Sequence, residues 1–337
     1  MKKIVITAIL AITAFMVFHW CGGESKNESI QNVGKYTPKK VNRLDKTIYE
    51  YSKSGNQELL NDSITSYGVS AVNTMLNMGH PDDSAFVKYV ESDVVKIFTP
   101  EVEKLYSNLD ELENLLGGVE ENMIKELDGL KLCNIYSIVS SNRHHSIYMS
   151  DSTTMLLVLN QYLGKNHDAY KGFDEYIKAN KESIFMPYDI VEAYIANTKY
   201  AFVPNGTETL LNRMLYQGAL VEAKMRLVPG ASLALALGYS DEQFKWLEDN
   251  EQKAWDVIVS KNLLYSTAPS DVDQLLSPAP ATTIINANAP GRAGRYFGYK
   301  IVKAYLDKNP KTTLPQLFSP EFYADQQSFI TSGYQGK

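Results

Sequence analysis

The residues best suited to bind a ligand are two arginines, Arg292 and Arg295, which lie in a glycine-rich segment near the end of the chain. A guanidinium group donates paired hydrogen bonds in a planar fork that matches a carboxylate or a phosphate. The two side chains could therefore form a small basic pocket that takes an anion of either kind.

The glycines around these arginines, Gly291, Gly294 and Gly298, are spaced three and four residues apart, which places them on one face of a helix. Glycine inside a helix costs about 1 kcal/mol relative to alanine, so another backbone or a bound group is expected to approach that face closely. Packing against a helix at residues 189–199 or 205–227 is the favoured interpretation. A basic pocket beside the glycines is the alternative.

Histidines and cysteines offer little other chemistry. His144 and His145 are neighbours in a predicted turn between strands, where adjacent side chains point to opposite sides, so exposed polar residues are favoured over a shared metal site. His80 and His167 each lie shortly before an aspartate and are interpreted as loop or helix-start residues rather than general bases. Cys133 is interpreted as a small core residue rather than a nucleophile. The sequence contains no Gly-x-Ser-x-Gly elbow, phosphate-binding loop, dinucleotide fingerprint or EF-hand loop.

The composition is that of an acidic globular protein. The 337 residues are 44% hydrophobic and 21% charged, and their formal net charge is −6, which argues against binding to a nucleic-acid backbone. Two cysteines cannot build a disulfide framework or a cysteine-based zinc site. The 22 tyrosines suit a partner or glycan surface and a half-buried core equally well. The acidic residues at 241–251 favour a solvated helix face over a cation site.

The N-terminus predicts export and a lipid anchor. Lys2 and Lys3 precede an uncharged, mainly apolar run at residues 4–18, which is too short for a comfortable membrane span of roughly 20 residues. The chain turns polar directly after Cys21, and this order resembles a bacterial lipoprotein signal in which the cysteine is acylated. We therefore expect a signal peptide at residues 1–20, a flexible tether at 21–42 and a single domain at 43–330. An uncleaved anchor helix is the alternative.

The apolar spacing predicts an α+β fold that is predominantly helical. Helical periods extend from about residue 43 to 130. β-branched and aromatic runs at 133–139, 146–149 and 153–159 then predict a three-strand antiparallel meander. Helical periods return after Gly164 and form a bundle that continues to the end of the chain.

Several short segments together resemble the gliding-motility-associated lipoprotein family GldB. They are DST at 151–153, LNQYLG at 159–164, NLLYST at 262–267, GRAG at 291–294, GYKIVKAY at 298–305 and NP at 309–310. The resemblance covers roughly residues 40 to 325. It implies an envelope lipoprotein, most simply of the outer membrane of a Gram-negative bacterium, that is connected with gliding and protein secretion. It implies no known reaction.

More remotely, the order of elements resembles predicted zinc peptidases with a zincin fold. Such a site needs two histidines four residues apart on a helix, a glutamate between them and a third ligand on the next helix. At the matching place Glu192 is present, but Val191 and Ile195 stand at the two ligand positions and Gln217 at the third. No His-x-x-x-His occurs anywhere in the chain, so we expect no metal, no cofactor and no catalytic residues.

The resulting hypothesis is a non-catalytic lipoprotein that binds within an envelope protein assembly on a metal-free, zincin-like scaffold. One alternative is a lipoprotein that captures a peptide or glycan in the degenerate cleft. Another is a metal-independent hydrolase that uses Glu192, Gln217, Arg292 and Arg295. A deep polar cleft around Glu192 would favour the alternatives, and a cleft filled with apolar side chains would favour the first hypothesis.

Overall fold

The computed structural model describes residues 34–56, 58, 84–142, 145–149 and 151–337. The predicted signal peptide, Cys21, His80 and His144 lie outside these residues. Helices predominate in the described part of the chain, and a small sheet lies in its first half. The predicted helical α+β class is thereby confirmed.

The described residues form a sheet of four strands, of which three lie close to their predicted positions. The strands are β1 (Val41–Asn42), β2 (Asn134–Ile138), β3 (Ile147–Met149) and β4 (Thr154–Val158). Their order across the sheet is β1-β2-β4-β3. β1 and β4 both run parallel to β2, and β3 runs antiparallel to β4.

The predicted antiparallel meander is therefore right for β3 and β4 and wrong for β2, which pairs in parallel with β4 and does not pair with β3. All five residues of β4 are buried, which suits a strand covered on both faces, whereas the three residues of β3 are half-buried. The fully buried strand β4 lies inside the sheet, and the half-buried strand β3 lies at its edge. This arrangement separates β2 from β3, its neighbour in sequence.

The described residues of the N-terminal part contain four helices, the first of which packs against β2. They are α1 (Leu44–Ser54), α2 (Ser84–Val90), α3 (Asp93–Leu105) and α4 (Asp110–Glu126). The segment before α1 is tied to α4, because Lys39 donates a hydrogen bond to Glu120 at 2.7 Å and the backbone N–H of Val41 donates to Glu113 at 3.0 Å. The folded body thus begins before residue 43 and includes the end of the predicted tether.

The rest of the chain is helical, with short 3-10 turns between helices. The well-buried helices α6 (Met186–Ile195), α7 (Leu210–Leu227) and α12 (Ala293–Lys308) form the centre of this part. The other helices are α5 (Glu175–Lys178), α8 (Leu233–Leu237), α9 (Asp241–Asp249), α10 (Glu251–Ser260), α11 (Pro269–Leu276), α13 (Leu314–Leu317), α14 (Pro320–Tyr323) and α15 (Gln326–Ser332). None of the helices that the structure describes is long and apolar enough to cross a bilayer.

Helix α7 lies at the centre of the domain and packs against α4, α6 and, most extensively, α12. Most of its 18 residues are buried. A capping box fixes its first turn, since the Thr209 side chain accepts from the backbone N–H of Asn212 and the Asn212 side chain accepts from that of Thr209. The position of α7 therefore determines where the side chains of its neighbours meet.

Helices α7 and α12 cross at two glycines, Gly218 and Gly298. A Cβ atom on Gly298 would overlap the carbonyl oxygen of Met214, and a Cβ atom on Gly218 would overlap the carbonyl group of Gly298. The two backbones are thus in direct contact. The predicted packing of Gly298 against the helix at 205–227 agrees with this crossing.

The other two glycines of the predicted face do not join this contact. Gly294 faces Leu275 and Leu276 of α11, and Gly291 lies before α12, against the backbone of Ala279. The prediction of one shared helical face is wrong because α12 begins only at Ala293. All three glycines do allow a close approach, but to three different segments.

The acidic segment at 241–251 is mostly a solvated face, as predicted, with one exception. Glu251 is buried, and its carboxylate accepts hydrogen bonds from Tyr296 at 2.6 Å and Tyr334 at 2.8 Å. Lys300 lies 3.2 Å from the same carboxylate. These contacts attach the C-terminal segment to α10 and α12.

Candidate functional site

A polar cavity of about 560 Å³ lies between α6, the C-terminal half of α7 and the segment that leads into α12. Residues of β3, α5 and α8 complete its walls. Acidic and basic side chains from four parts of the chain converge on it. They are Lys181, Asp189, Glu192, Lys224, Arg292 and Arg295.

The two arginines lie at the start of α12. Arg292 is the N-cap residue and has a φ of 64°, in the left-handed region that residues with a Cβ atom seldom occupy. Arg295 lies one turn further on and is only 2% exposed. Burial and the nearby charge of Arg295 lower the pKa of Arg292 to about 10, so Arg292 stays charged at neutral pH.

Most hydrogen-bond donors of these arginines have no partner within the part of the chain that the structure describes. Arg295 donates one hydrogen bond, from Nη2 to Glu192 at 2.7 Å. The backbone carbonyl of Arg292 accepts from the N–H of Arg295, but its side chain forms neither a hydrogen bond nor an ion pair with any described residue. The Nε atoms of both side chains are buried and unpartnered there. Such groups are costly to bury, so their presence in a cavity indicates a binding role.

Glu192 holds two cations at the floor of the cavity. Its Oε2 atom accepts from both Arg295 and Lys224. Burial by itself would raise the pKa of Glu192, but the charges of Arg295, Lys224 and Arg292 outweigh that effect and hold the pKa well below its ordinary value. Glu192 is therefore ionised, and its negative charge is already shared by two partners.

Two lysines bring further positive charge. Lys224 is 3% exposed and also donates to the carbonyl oxygen of Ala236 at 2.9 Å. Lys181 is buried and donates to Gln161. Burial lowers the pKa of each lysine to about 8, although the charge of Glu192 opposes the shift at Lys224 and that of Asp189 opposes it at Lys181. Both lysines are mainly protonated at pH 7.

Asp189 lies one turn before Glu192 on α6 and accepts a hydrogen bond from the hydroxyl of Tyr162 at 2.8 Å. Burial raises the pKa of Asp189, although the charge of Lys224 opposes the shift. The cavity thus contains two carboxylates in different states. One is held in its ionised form by cations, and the other is poorly solvated and easier to protonate.

The charges of the cavity do not balance. Four cationic side chains face two carboxylates, an excess of two positive charges even when both carboxylates are ionised. Buried charges are stable when they are paired and become costly when they are not. The arrangement can therefore attract and hold an anion.

The remaining wall is largely apolar. It contains Ile147 of β3, Phe185 before α6, Ala193 of α6 and Leu235 of α8. Tyr239 also lines this wall, and its hydroxyl donates to the carbonyl oxygen of Gly291 at 2.9 Å. Charged and apolar side chains that line one cavity suit a ligand of mixed character.

The cavity brings together three of the six cleft candidates named from the sequence, Glu192, Arg292 and Arg295. Val191 and Ile195 are fully buried in the hydrophobic core and do not line it. Gln217 does not line it either, and its buried Oε1 atom has no hydrogen-bond partner among the described residues. A cavity is thus present at Glu192, but it does not extend to Gln217.

Sequence reasoning missed Lys181, Asp189 and Lys224. Two of them carry a usable signal. Lys224 lies three residues after Val221, within the buried stripe of α7, and Asp189 lies three residues before Glu192, so two acids share one side of an apolar helix. Lys181 lies in a polar connection and has no such signal.

Three of the histidines and cysteines considered from the sequence, His145, His167 and Cys133, lie within the described residues. His167 caps a 3-10 turn, where its Nδ1 accepts from the backbone N–H of Ala169 at 3.1 Å, and this confirms the helix-start interpretation. Cys133 is buried in the core, as predicted, and burial raises its pKa to about 12. His145 lines the cavity. Among the described residues, no three His, Cys, Asp or Glu side chains lie together in a metal-binding arrangement.

Comparison with known families gives one match. The family model of the gliding motility protein GldB, a lipoprotein family, matches residues 24–336, nearly the whole chain. The chain belongs to this family, which indicates a gliding-motility-associated, membrane-anchored envelope protein. No curated protein and no solved structure matches it.

Proposed function

We propose that this member of the GldB family is a lipid-anchored envelope protein that binds an anionic ligand in the cavity between α6, α7 and α12. One observation carries the proposal: the cavity holds an excess of two positive charges, and two of its guanidinium groups have donors without partners in the described chain. An anion would complete both the charge balance and the hydrogen bonding. We propose that the protein works through this binding within an envelope assembly.

The polar character of the cavity favours ligand binding over a purely structural cleft. A cleft that had lost its function would be expected to fill with apolar side chains, because unpaired buried charges destabilise a fold. Arg295 and Lys224 instead remain buried and charged around Glu192. The alternative of a ligand-capturing lipoprotein therefore has the stronger support.

A hydrolase has weaker support. A general base needs a carboxylate that can accept a proton near neutral pH. The pKa of Glu192 is held well below its ordinary value, and its Oε2 atom is bonded to two cations. The second carboxylate, Asp189, has a raised pKa but already accepts the hydrogen bond of the Tyr162 hydroxyl. We therefore propose a non-catalytic role. We further propose that the scaffold is a metal-free relative of the zincin folds, in which Glu192 orients cations rather than acting as a base.

The lipid anchor is proposed to be Cys21, with the body at the outer membrane. Two or three acyl chains give stable attachment, whereas one chain gives only reversible binding. Cys21→Ser is expected to leave the signal peptide uncleaved or to release the protein from the membrane fraction, as measured by detergent partitioning. A variant that is processed and held in the membrane like the parent would contradict the anchor.

The ligand-binding function is tested by gliding of cells whose sole copy of the gene carries Arg292→Gln. We expect spreading to be lost while the amount of protein in the membrane fraction is unchanged. Lys303→Gln is the matched control, because Lys303 is a half-exposed cation of α12 that does not line the cavity. Normal spreading of the Arg292→Gln strain at the parental protein level would contradict the proposal.

A further inference from the structure

We infer that the anionic ligand is an organic phosphate monoester, whose phosphate group binds among Arg292, Arg295 and Lys224 and whose organic part lies on the apolar wall. This inference rests on the proposed function and adds the chemical class of the ligand. Three features of the cavity carry it: the size of the charge excess, the number of available donors and the apolar residues in its wall.

The charge excess favours a dianion. Four cations face two carboxylates in the cavity, so a bound monoanion would leave one positive charge uncompensated. A phosphate monoester carries a charge between about −1.5 and −2 at pH 7, because its second pKa is about 6. A carboxylate or a sulfate ester carries only one negative charge. Among ligands with a single anionic group, compensation of both excess charges therefore favours the phosphate monoester.

The available donors also favour a tetrahedral group. Each guanidinium has five N–H bonds. Within the described chain only one donor of Arg295 is used, by Glu192, and none of Arg292 is. A carboxylate has two oxygens to offer, whereas a phosphate monoester presents three terminal oxygens that accept hydrogen bonds from several directions. Two arginines and a lysine around one point fit the latter better.

The geometry of the cations is fixed from within the protein. Glu192 accepts from Lys224 and Arg295 through one oxygen atom, which holds both cations on the same side of the cavity. Arg292 approaches from the N-cap of α12, where its φ of 64° directs the chain into the helix. Because Lys224 and Arg295 are preorganised, binding an anion need not order these two side chains first. Glu192 is thus a positioning residue.

The apolar wall argues for an organic ester rather than free phosphate. The cavity of about 560 Å³ lies within the range of 300–1,000 Å³ that is common for organic ligands. Phe185, Leu235 and Ile147 lie in its wall. They come from other segments of the chain than the two arginines. An aromatic or aliphatic group attached to the phosphate would cover these side chains.

The test is calorimetric titration of the full-length lipoprotein in a non-ionic detergent at pH 7. The central comparison is between phenyl phosphate and phenyl sulfate, which share shape and size and differ by about one charge. We expect phenyl phosphate to bind at least tenfold more tightly than phenyl sulfate, benzoate and inorganic phosphate. Equal or tighter binding of phenyl sulfate or benzoate would overturn the phosphate assignment and leave the anion-binding function standing. Binding of none of the anions would contradict both.

Variants and competitors complete the test. Arg292→Gln is expected to weaken phenyl phosphate binding at least tenfold, and Lys303→Gln is expected to leave it unchanged. Unaltered binding by Arg292→Gln would place the phosphate elsewhere and overturn the inference. Displacement of phenyl phosphate by dihexanoyl phosphatidic acid would support a lipid source, and displacement by glycerol phosphate alone would support a soluble one. Displacement by neither of these two esters would contradict a general phosphate monoester site.

Discussion

Helices α7 and α12 meet in two regions, a glycine crossing and a charged cavity, which are packed differently. At their crossing, Gly218 and Gly298 bring the backbones into contact and leave no room for a side chain. Beyond the crossing, Lys224 of α7 and Arg295 of α12 converge on Glu192 beside a cavity of about 560 Å³. At the crossing, the absence of side chains lets the two backbones touch. At the cavity, long charged side chains lie where the contact between the two helices is incomplete.

This difference separates the residues that stabilise the fold from those that we assign to binding. A dry glycine contact adds packing without any polar group that needs a partner. A cluster of buried cations adds little stability and costs desolvation. Substitutions at the crossing should therefore change stability, whereas substitutions of the cavity arginines should change ligand affinity.

The largest effect is expected from Gly298→Ala. Its new Cβ atom would overlap the backbone carbonyl of Met214, and a backbone cannot move aside as a flexible side chain can. We expect a loss of at least 3 kcal/mol, at or above the upper end of ordinary overpacking. Urea unfolding measures it, with Lys303→Ala on the exposed side of α12 as a control within about 0.5 kcal/mol of the parent. An unshifted urea midpoint for Gly298→Ala would contradict the claim that the glycine crossing stabilises the fold.

The next effect concerns Glu192→Gln. The substitution removes the charge between Lys224 and Arg295 and should cost about 2 kcal/mol, less than for a fully buried pair, because the Glu192 side chain is 24% exposed. The folded-state pKa of Glu192 is lowered, so its stabilising effect is present above the ordinary carboxyl pKa near 4.3 and is lost as pH falls through the lower folded value.

The same variant links stability to ligand. Because Glu192→Gln removes the charge that positions Lys224 and Arg295, phenyl phosphate should raise its melting temperature less than that of the parent protein. Thermal unfolding at pH 7 with and without phenyl phosphate checks this. A variant as stable as the parent, or one that gains as much from phenyl phosphate, would show that Glu192 does not hold the cations together.

A smaller loss of stability is expected from Gly294→Ala. Its Cβ atom would lie 2.8 Å from the Leu275 carbonyl oxygen and 2.8 Å from the side chain of Leu276, which can partly turn away. We expect a loss of about 1–2 kcal/mol in urea unfolding. A loss as large as that of Gly298→Ala would mean that α11 is packed as rigidly against α12 as α7 is.

The pH dependence of binding gives the smallest effect. Burial lowers the pKa of Lys224 and Lys181 to about 8, so phenyl phosphate affinity should fall about tenfold between pH 7 and pH 9.5. Over the same range each lysine binds its proton less tightly in the folded than in the unfolded state, so its contribution to stability rises between pH 8 and about 10.4. As the pH rises, the phenyl phosphate affinity measured by calorimetry should therefore fall, while the lysines' contribution to the stability measured by urea unfolding should rise.

Lys224→Met provides the control for this behaviour, since it removes one of the two titrating groups. Its affinity should be lower at pH 7 and should depend less on pH. An affinity that stays constant from pH 7 to 9.5 in the parent protein would exclude the lysines from the site.

The elements of the fold could be predicted better than their pairing. Apolar, β-branched runs reveal β2 and β4 because the pattern is local. That β4 lies between β2 and β3 depends on which strand is covered on both faces, and this is decided by packing from distant helices. In the same way, the spacing of Gly291, Gly294 and Gly298 predicts close approach. It does not reveal that α12 begins after the first of them.

The site was partly visible for a similar reason. Arg292 and Arg295 stand out in a glycine-rich segment, but their partners come from α6 and α7, more than 60 residues earlier in the printed sequence. Lys224 lies within the buried stripe of α7, but its sequence position alone also fits a lysine at the solvated edge of a helix. A charged residue within an apolar helical stripe is nevertheless a sequence signal for a buried charge.

The central claim is that Arg292 serves the ligand and not the fold, and thermal unfolding of Arg292→Gly with and without phenyl phosphate tests it most directly. Glycine suits the φ of 64° at this position, where a residue with a Cβ atom is strained by about 1–2 kcal/mol. We predict that the variant alone melts no lower than the parent, and that phenyl phosphate raises the melting temperature of the parent only. A variant that melts lower by itself, or that phenyl phosphate stabilises as much as the parent, would contradict the account.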